Sequence, residues 1–222
     1  MYLPVTYSYL ILPLAFLLFR SKLKDRIPVT LTLYALMCFG YLMIYYETPK
    51  DIRKYIQAFY TFVEYSFFTY IFWLHIQKKA FKTLILIASV LFVAFQIFFV
   101  TTATFKRLDS IPIGIETILL FIYIFYFFYE FSKYIKDTFI YNHYTFWIAV
   151  GIMIYLGGSF FFYILINSLT DNEIDKFSNM TYVAEIIKNL LFTFSIFIYK
   201  KHPVNKPQNH SKNIPNLDMN LI

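Results

Sequence analysis

Residues 83–100 read TLILIASVLFVAFQIFFV, an almost uninterrupted run of apolar side chains. Wound into an α-helix, this run is apolar on every face, which is typical of a helix surrounded by lipid or by other membrane helices. A transmembrane β-strand would instead alternate apolar and polar residues over about ten positions. The run therefore predicts a membrane-spanning helix and argues against a strand.

The same apolar character continues through most of the chain. Of its 222 residues, 59% are hydrophobic, 23% aromatic and 15% charged, whereas a soluble domain carries about 45–50% apolar and about 25% charged residues. A helix needs about 20 apolar residues to cross a bilayer. The sequence therefore predicts an all-α, polytopic membrane bundle of about seven transmembrane helices. The predicted spans are Leu3–Phe19, Pro28–Tyr46, Tyr55–Ile76, Phe81–Thr101, Ile111–Phe131, Tyr144–Ile166 and Met180–Tyr199.

The predicted bundle occupies residues 1–200 and is followed by a tail. Residues 201–222 contain five Asn and three Pro among few apolar side chains. Such a composition does not bury enough apolar surface to offset the entropy of folding. We expect residues 201–222 to form a disordered cytoplasmic tail.

Lysine and arginine are distributed unequally between the two sides of the predicted bundle. Cytoplasmic loops of membrane proteins carry an excess of these residues. Thirteen of them lie on the side of the C-terminus and six on the other, which predicts an outside N-terminus and a cytoplasmic C-terminus. The outer loop between helices 6 and 7 is predicted to hold Asp171, Glu173 and Asp175. The thirteen are Arg20, Lys22, Lys24, Arg26, Lys78, Lys79, Lys82, Lys133, Lys136, Lys200, Lys201, Lys206 and Lys212, and the six are Lys50, Arg53, Lys54, Lys106, Arg107 and Lys176.

Four ionisable residues fall well inside predicted spans: Glu64, Glu116, Glu185 and Lys188. A charge at the centre of a membrane helix costs about 2.5–3.5 kcal/mol on insertion scales. Glu130 lies near the cytoplasmic end of helix 5, from which we expect it to reach the interface. Intramembrane charges usually face the bundle interior or a wet cavity, so the four residues are candidates for a functional site.

Helical spacing groups these residues into polar stripes. On helix 7, Tyr182, Glu185 and Asn189 share one face, and Lys188 lies on the flank of that face. On helix 3, a second polar stripe contains Thr61 and Glu64. Under the predicted orientation all four charges lie in the outer half of the bundle. The stripes predict either a ligand or ion pocket open to the outside or a buried ion network that fixes helix packing.

Small residues and aromatic residues in the sequence predict two further structural features. Gly157, Gly158 and Ser159 lie at the middle of helix 6, where small side chains let another helix approach closely. We therefore predict a helix-packing site there. The 28 Phe and 21 Tyr are attributed to lipid-facing surface and to aromatic belts at the membrane interfaces.

Catalytic and metal-binding patterns are missing from the sequence. It has no HExxH, no G-x-S-x-G and no phosphate-binding glycine loop, and its only histidines, His75, His143, His202 and His210, lack paired ligand spacing. The basic residues form no continuous patch for a nucleic acid. The sequence favours a role without catalytic residues, metal, cofactor or nucleic acid, and with the lipid bilayer as a partner.

Three segments carry a resemblance to a group of proteins. They are FYTFVEY at 59–65, FWIAVGIMIYLGGS at 146–159 and EIIKNLLF at 185–192. The chain resembles small seven-helix inner-membrane proteins common in Bacteroidota, which show F-W-I-x-x-G-x-x-I-Y-x-x-G-N and N-I-I-x-N-I-L-Y in helices 6 and 7. Ser159 and Glu185 each replace an Asn of those patterns. The resemblance implies a bacterial inner-membrane location and a fold, and no activity.

These observations lead to one main functional hypothesis and two alternatives. The main hypothesis is a receptor-like or sensory module that binds a small polar or amphipathic ligand in an outer-half pocket and acts with a membrane or cytoplasmic signalling partner. The first alternative is a proton- or ion-coupled small-molecule transporter. The second is a structural subunit of a membrane complex.

Overall fold

The computed structural model describes residues 2–19, 26–102, 110–134, 140–165 and 168–201. Within these ranges the chain forms seven α-helices, one short 3₁₀ turn and no strand. Lys201 ends the last helix, and the rest of the predicted disordered tail lies outside the described residues. The helices are α1 Tyr2–Phe19, α2 Arg26–Glu47, α3 Lys50–His75, α4 Lys79–Thr102, α5 Ser110–Tyr134, α6 Tyr144–Leu165 and α7 Asp171–Lys201, and the 3₁₀ turn is Ile140–Asn142.

Five of the described helices are long and apolar enough to cross a membrane, and on this ground the chain is a membrane protein. They are α2, α4, α5, α6 and α7. The apolar part of α1 is shorter, at Leu3–Phe19. The helix α3 is not among the five, and it carries the polar residues Gln57 and Glu64 and several tyrosines. The all-helical class predicted from the sequence is confirmed.

The start of α7 differs from the prediction. Asp171 and Glu173 were expected in a loop, but they belong to the first turn of a helix that begins nine residues before Met180. The backbone N–H of Thr170 donates to Glu173 Oε2 at 2.9 Å, and the Thr170 hydroxyl donates to the same oxygen at 2.7 Å. The Glu173 carboxylate thereby satisfies a donor that the helix end would leave unpaired. Acidic residues near a helix N-terminus also stabilise the helix, because their negative charge interacts favourably with the helix dipole.

Six of the helices form a closed ring. Following the packing contacts, α1 packs on α2, α2 on α3, α3 on α5, α5 on α6, α6 on α7 and α7 back on α1. The remaining helix, α4, packs outside this ring against α3 and α5. Most of its apolar side chains are exposed, as expected for a lipid-facing helix; examples are Leu86, Val90, Leu91, Ile97 and Phe98.

The helices α6 and α7 approach each other closely at Gly158. A Cβ placed on Gly158 would lie 2.7 Å from Ala184 Cβ, which is shorter than a Cβ contact allows. At Gly151 a Cβ would lie 3.2 Å from the Phe192 ring. Gly157 has room, since its nearest neighbour would be Phe121 Cζ at 4.0 Å. The backbones of α6 and α7 therefore approach through Gly158 and Gly151.

Glu130, near the C-terminal end of α5, contacts the connection between α3 and α4. It is buried, and its two carboxylate oxygens accept the backbone N–H groups of Gln77 at 2.7 Å and Lys78 at 2.9 Å. These two residues lie in the connection from α3 to α4. A charged acceptor in this position holds α5 against the α3–α4 connection.

Replacing Gly158 by Ala should destabilise the bundle, because the added methyl group would force α6 and α7 apart. Overpacking of this kind costs about 1–3 kcal/mol. We expect a lower midpoint of thermal unfolding in detergent, followed by circular dichroism. The matched control is Gly157→Ala, which gains the same helix propensity without a clash. Equal midpoints for the two variants would contradict the close approach at Gly158.

Candidate functional site

Lys188 lies in the interior of the ring, fully buried. Its Nζ donates to the Tyr34 hydroxyl at 2.7 Å and lies 3.6 Å from Glu185 Oε1 and 3.8 Å from Glu64 Oε1. We call Glu64, Glu185 and Lys188 the ion network. It joins α3 to α7 across the ring, two helices that have no extensive backbone packing with each other.

Aromatic rings enclose the Lys188 ammonium, and we call them the ammonium cage. The centroid of the Tyr155 ring lies 3.8 Å from Nζ, that of Tyr34 5.0 Å, that of Tyr9 5.6 Å and that of Phe68 5.9 Å. A cation over an aromatic face is stabilised by the ring quadrupole, by about 2 kcal/mol or more when it is desolvated. The cage therefore offsets part of the cost of burying this charge.

The carboxylates of the network are held by tyrosine hydroxyls. Glu64 accepts hydrogen bonds from Tyr34 at 2.6 Å, from Tyr60 at 3.0 Å and from Tyr155 at 3.1 Å. Glu185 accepts one from Tyr9. A carboxylate offers about four acceptor positions, so Glu64 is well satisfied. The donors come from α1, α2, α3 and α6, and the network thus draws these helices towards α7.

Asn189 has a different partner. Its Nδ2 donates to Ser8 Oγ at 2.7 Å, and Ser8 Oγ donates in turn to the Val5 carbonyl at 2.6 Å. Asn189 is buried and is not among the described residues that line the cavity beside the ion network. Its place in the structure is the contact between α7 and α1.

A cavity of about 290 Å³ lies beside the ion network. It extends from Glu64 and Tyr155, deep in the ring, to Tyr45 and Ile174, near the end of α2 and the start of α7. Its volume is close to the lower limit of about 300 Å³ for small-molecule sites. All six ring helices contribute to its wall and α4 does not.

The wall of the cavity is polar, aromatic and acidic. No lysine or arginine is among the described residues that line it, although Lys188 lies just behind Glu64 and Glu185. Its tyrosines are Tyr9, Tyr41, Tyr45, Tyr60, Tyr155, Tyr163 and Tyr182, and its acids are Glu64, Glu116 and Glu185. Its hydroxyl and amide side chains are Gln57, Thr61, Thr117, Ser159, Ser178 and Thr181.

Two buried residues of the wall stand apart from the ion network. Glu116, from α5, is 3% exposed and adds a third carboxylate. Thr181, from α7, is 4% exposed, and its hydroxyl forms no hydrogen bond within the described residues. A buried hydroxyl without a partner costs about 1–3 kcal/mol. A ligand in the cavity would supply such a partner.

The candidate site residues predicted from the sequence do not all lie in one place in the structure. Glu64, Glu116, Glu185, Thr61 and Tyr182 line the cavity. Lys188 is the centre of the ion network behind it, and Asn189 belongs to the contact with α1. In helix 6, Gly158 lies at the contact with α7, Gly157 makes no close approach, and Ser159 lines the cavity while donating to the Tyr155 carbonyl at 2.7 Å.

Apart from Tyr182, the tyrosines of the site are the residues that the sequence reasoning missed. They were attributed to lipid-facing surface and interfacial belts, yet Tyr9, Tyr34, Tyr65 and Tyr123 are almost fully buried. The position of a tyrosine within a span could have indicated that it is buried, since Tyr9 and Tyr34 lie well inside apolar segments rather than at their ends. A phenolic hydroxyl at that depth requires a hydrogen-bond partner.

Comparisons with protein-family models, with curated proteins and with solved structures gave no match to this chain.

Lys188→Met should strongly destabilise the protein, because it leaves Glu64 and Glu185 buried without their cation. Removing one member of a buried ion pair costs about 3–5 kcal/mol. The free energy of unfolding, measured by titration with a denaturing detergent, should fall by this order. Lys188→Met combined with Glu64→Gln should recover part of the loss, since one uncompensated charge is removed.

Lys79→Met is the control for this experiment, because Lys79 is exposed at the start of α4. A surface substitution of this kind usually changes stability by less than about 0.5 kcal/mol. Equal stability of the Lys188→Met and Lys79→Met proteins would contradict the ion network.

Proposed function

We propose that this chain is a seven-span bacterial inner-membrane protein that binds a small polar or amphipathic ligand in the cavity. In this proposal it acts as a receptor-like or sensory module together with a membrane or cytoplasmic signalling partner. The observation that carries the proposal is the cavity itself: a space inside a membrane bundle, lined by seven tyrosines and three carboxylates. An ion network that only fixed helix packing would not require such a space.

Lengths and packing support seven spans. The 18 residues of α1 extend about 27 Å as a helix, close to the bilayer core of about 30 Å, and α3 is longer, with 26 residues. Both helices complete the ring with the five apolar ones. The polar side chains of α3 that lower its hydropathy, Gln57 and Glu64, face the cavity rather than lipid.

The bias of lysine and arginine supports an outside N-terminus and a cytoplasmic C-terminus. With that orientation the cavity lies in the outer half of the bundle, because its wall contains the end of α2 and the starts of α3 and α7. A ligand would then enter from outside the cytoplasm. Access from this side suits a sensor of external solutes.

Membership in the Bacteroidota inner-membrane group is also part of this proposal. Ser159 and Glu185, where the chain departs from the helix 6 and helix 7 patterns of that group, both line the cavity. We infer that members of the group share the bundle and differ in the ligand they bind.

Glu116→Gln should remove a bound ligand while leaving the fold intact, because Glu116 lines the cavity outside the ion network. Native mass spectrometry of the gently solubilised wild-type protein should show a reproducible bound mass that this variant lacks. The control is Glu130→Gln, the same substitution on the same helix, at a buried glutamate that does not line the cavity. A wild-type protein that carries only bulk lipid would overturn the proposal and favour the structural-subunit alternative.

A coupled transporter is the second candidate function. The observation that favours it is the buried ion network directly behind the cavity, because chains of ionisable groups inside membrane bundles often carry protons. Uptake into proteoliposomes under a pH gradient separates the two candidates. A binding protein without transport shows no uptake that depends on the gradient, whereas a coupled transporter loses such uptake when Glu64 is replaced by Gln.

A further inference from the structure

We propose that a groove between α3 and α4 binds an anionic phospholipid, with the lipid phosphate beside Lys79 and Lys82 and one acyl chain along the groove. The groove lies on the lipid-facing surface of the bundle, outside the ring that encloses the cavity. It would be a second binding site, independent of any ligand in the cavity.

The groove has a volume of about 410 Å³ and follows the contact between α3 and α4. Its walls include two small side chains, Ser66 of α3 and Ser89 of α4, and exposed apolar side chains such as Leu86. Both serine hydroxyls donate to carbonyl oxygens of their own helices, at 2.8 and 2.7 Å. The groove is thus an apolar space within the size range of ligand sites, about 300–1,000 Å³, and it suits an acyl chain.

Two lysines lie at the end of the groove where α3 ends and α4 begins. Lys79 and Lys82 continue the stripe of α4 that lines the groove, since they precede Leu86 by seven and four residues. The Nζ of Lys82 lies 4.8 Å from the centroid of the Trp73 ring, which is part of the groove wall. Within the described part of the chain this ammonium has no hydrogen bond and no ion pair, so its N–H groups remain for a phosphate.

The charge at this end of the groove favours an anionic headgroup. No aspartate or glutamate is among the described residues that line the groove. Glu130 lies near the same end of the bundle, but its two oxygens accept the backbone N–H groups of Gln77 and Lys78. Lysines near a membrane surface attract anionic lipids. With the proposed orientation, the two lysines face the cytoplasmic leaflet, where anionic lipids give the surface a negative potential.

The hydroxyl of Thr69 adds a polar contact at a suitable depth. Thr69 lines the groove, is 8% exposed and forms no hydrogen bond among the residues that the structure describes. It lies four residues, about 6 Å along the helix, from Trp73 towards the middle of α3. The ester carbonyls of a phospholipid lie between the phosphate and the acyl chains and accept hydrogen bonds. A phosphate beside Lys82 would therefore bring an ester carbonyl to the depth of Thr69.

Dioleoyl phosphatidylglycerol and dioleoyl phosphatidylcholine are matched probes, because their acyl chains and esters are identical and only the former has a net negative charge. Each lipid is titrated into the purified, delipidated full-length protein in neutral detergent at low salt, and bound lipid is counted by native mass spectrometry. We expect one phosphatidylglycerol to bind about tenfold or more tighter than phosphatidylcholine, since each nearby lysine contributes about fivefold. Glycerol phosphate, which has no acyl chain, should not bind at the same concentrations. Binding of glycerol phosphate as tight as that of the lipid would indicate a free-phosphate site and overturn the lipid as occupant.

Lys82→Gln should weaken phosphatidylglycerol binding about fivefold and leave phosphatidylcholine binding unchanged. The matched control is Lys133→Gln, at an exposed lysine in the last turn of α5 that does not line the groove. Equal affinity for the two lipids, or equal effects of the two substitutions, would overturn the position given to the phosphate.

Two further substitutions test the groove itself. Ser66→Phe fills the groove from an exposed position and should weaken the binding of both lipids about tenfold. Thr69→Val should weaken both about fivefold without lowering the midpoint of thermal unfolding of the lipid-free protein, because the hydroxyl that it removes has no partner there. Unchanged binding in Ser66→Phe would show attraction to surface charge alone, and a lower midpoint in lipid-free Thr69→Val would show a structural hydroxyl. Either result overturns the inference.

Glu116→Gln separates this site from the cavity. The variant should keep its bound phosphatidylglycerol, because Glu116 lines the cavity and does not line the groove. Loss of the lipid in Glu116→Gln would place the lipid in the cavity and overturn the groove as its site.

Discussion

The arrangement of the helices in this bundle depends on the burial of one ammonium group, that of Lys188. Lys188 is completely enclosed, and a charge in that position is tolerated only with partners that replace water. These partners come from several helices: Glu64 from α3, Tyr34 from α2, Tyr155 from α6 and Tyr9 from α1. Because the lysine must satisfy all of these contacts at once, its position determines which faces of these helices point inward.

The ion network also explains why the cavity lies where it does. Glu64 and Glu185 bind Lys188 and at the same time form part of the cavity wall. Their tyrosine donors keep the carboxylates in fixed positions before any ligand arrives. Such preorganisation lowers the entropy cost of binding. The sequence left structural ion pairing and ligand binding as competing hypotheses. The ion pairing and the proposed ligand binding would use adjoining faces of the same side chains.

The most apolar candidate span and the helix that supplies Glu64 occupy different places in the bundle. The most apolar of the five candidate spans, in α4, lies outside the ring, whereas α3, the least apolar long helix before α7, carries Glu64 to the centre. Lipid takes the place of water around a membrane bundle, so apolar faces need no burial. Polar faces do, and they collect inside the ring.

The sequence by itself determined the helical class, approximate helix positions and the presence of Glu64, Glu116, Glu185 and Lys188 within helices, because a long apolar run and a charge within it are properties of one segment. It missed the early start of α7, where the Thr170–Glu173 cap was read as a loop. Only the tertiary structure decided which of the 21 tyrosines surround Lys188, and that α4 lies outside the ring. Those facts depend on how helices distant in sequence pack, and tyrosine occurs in membrane-interface belts and in bundle interiors alike.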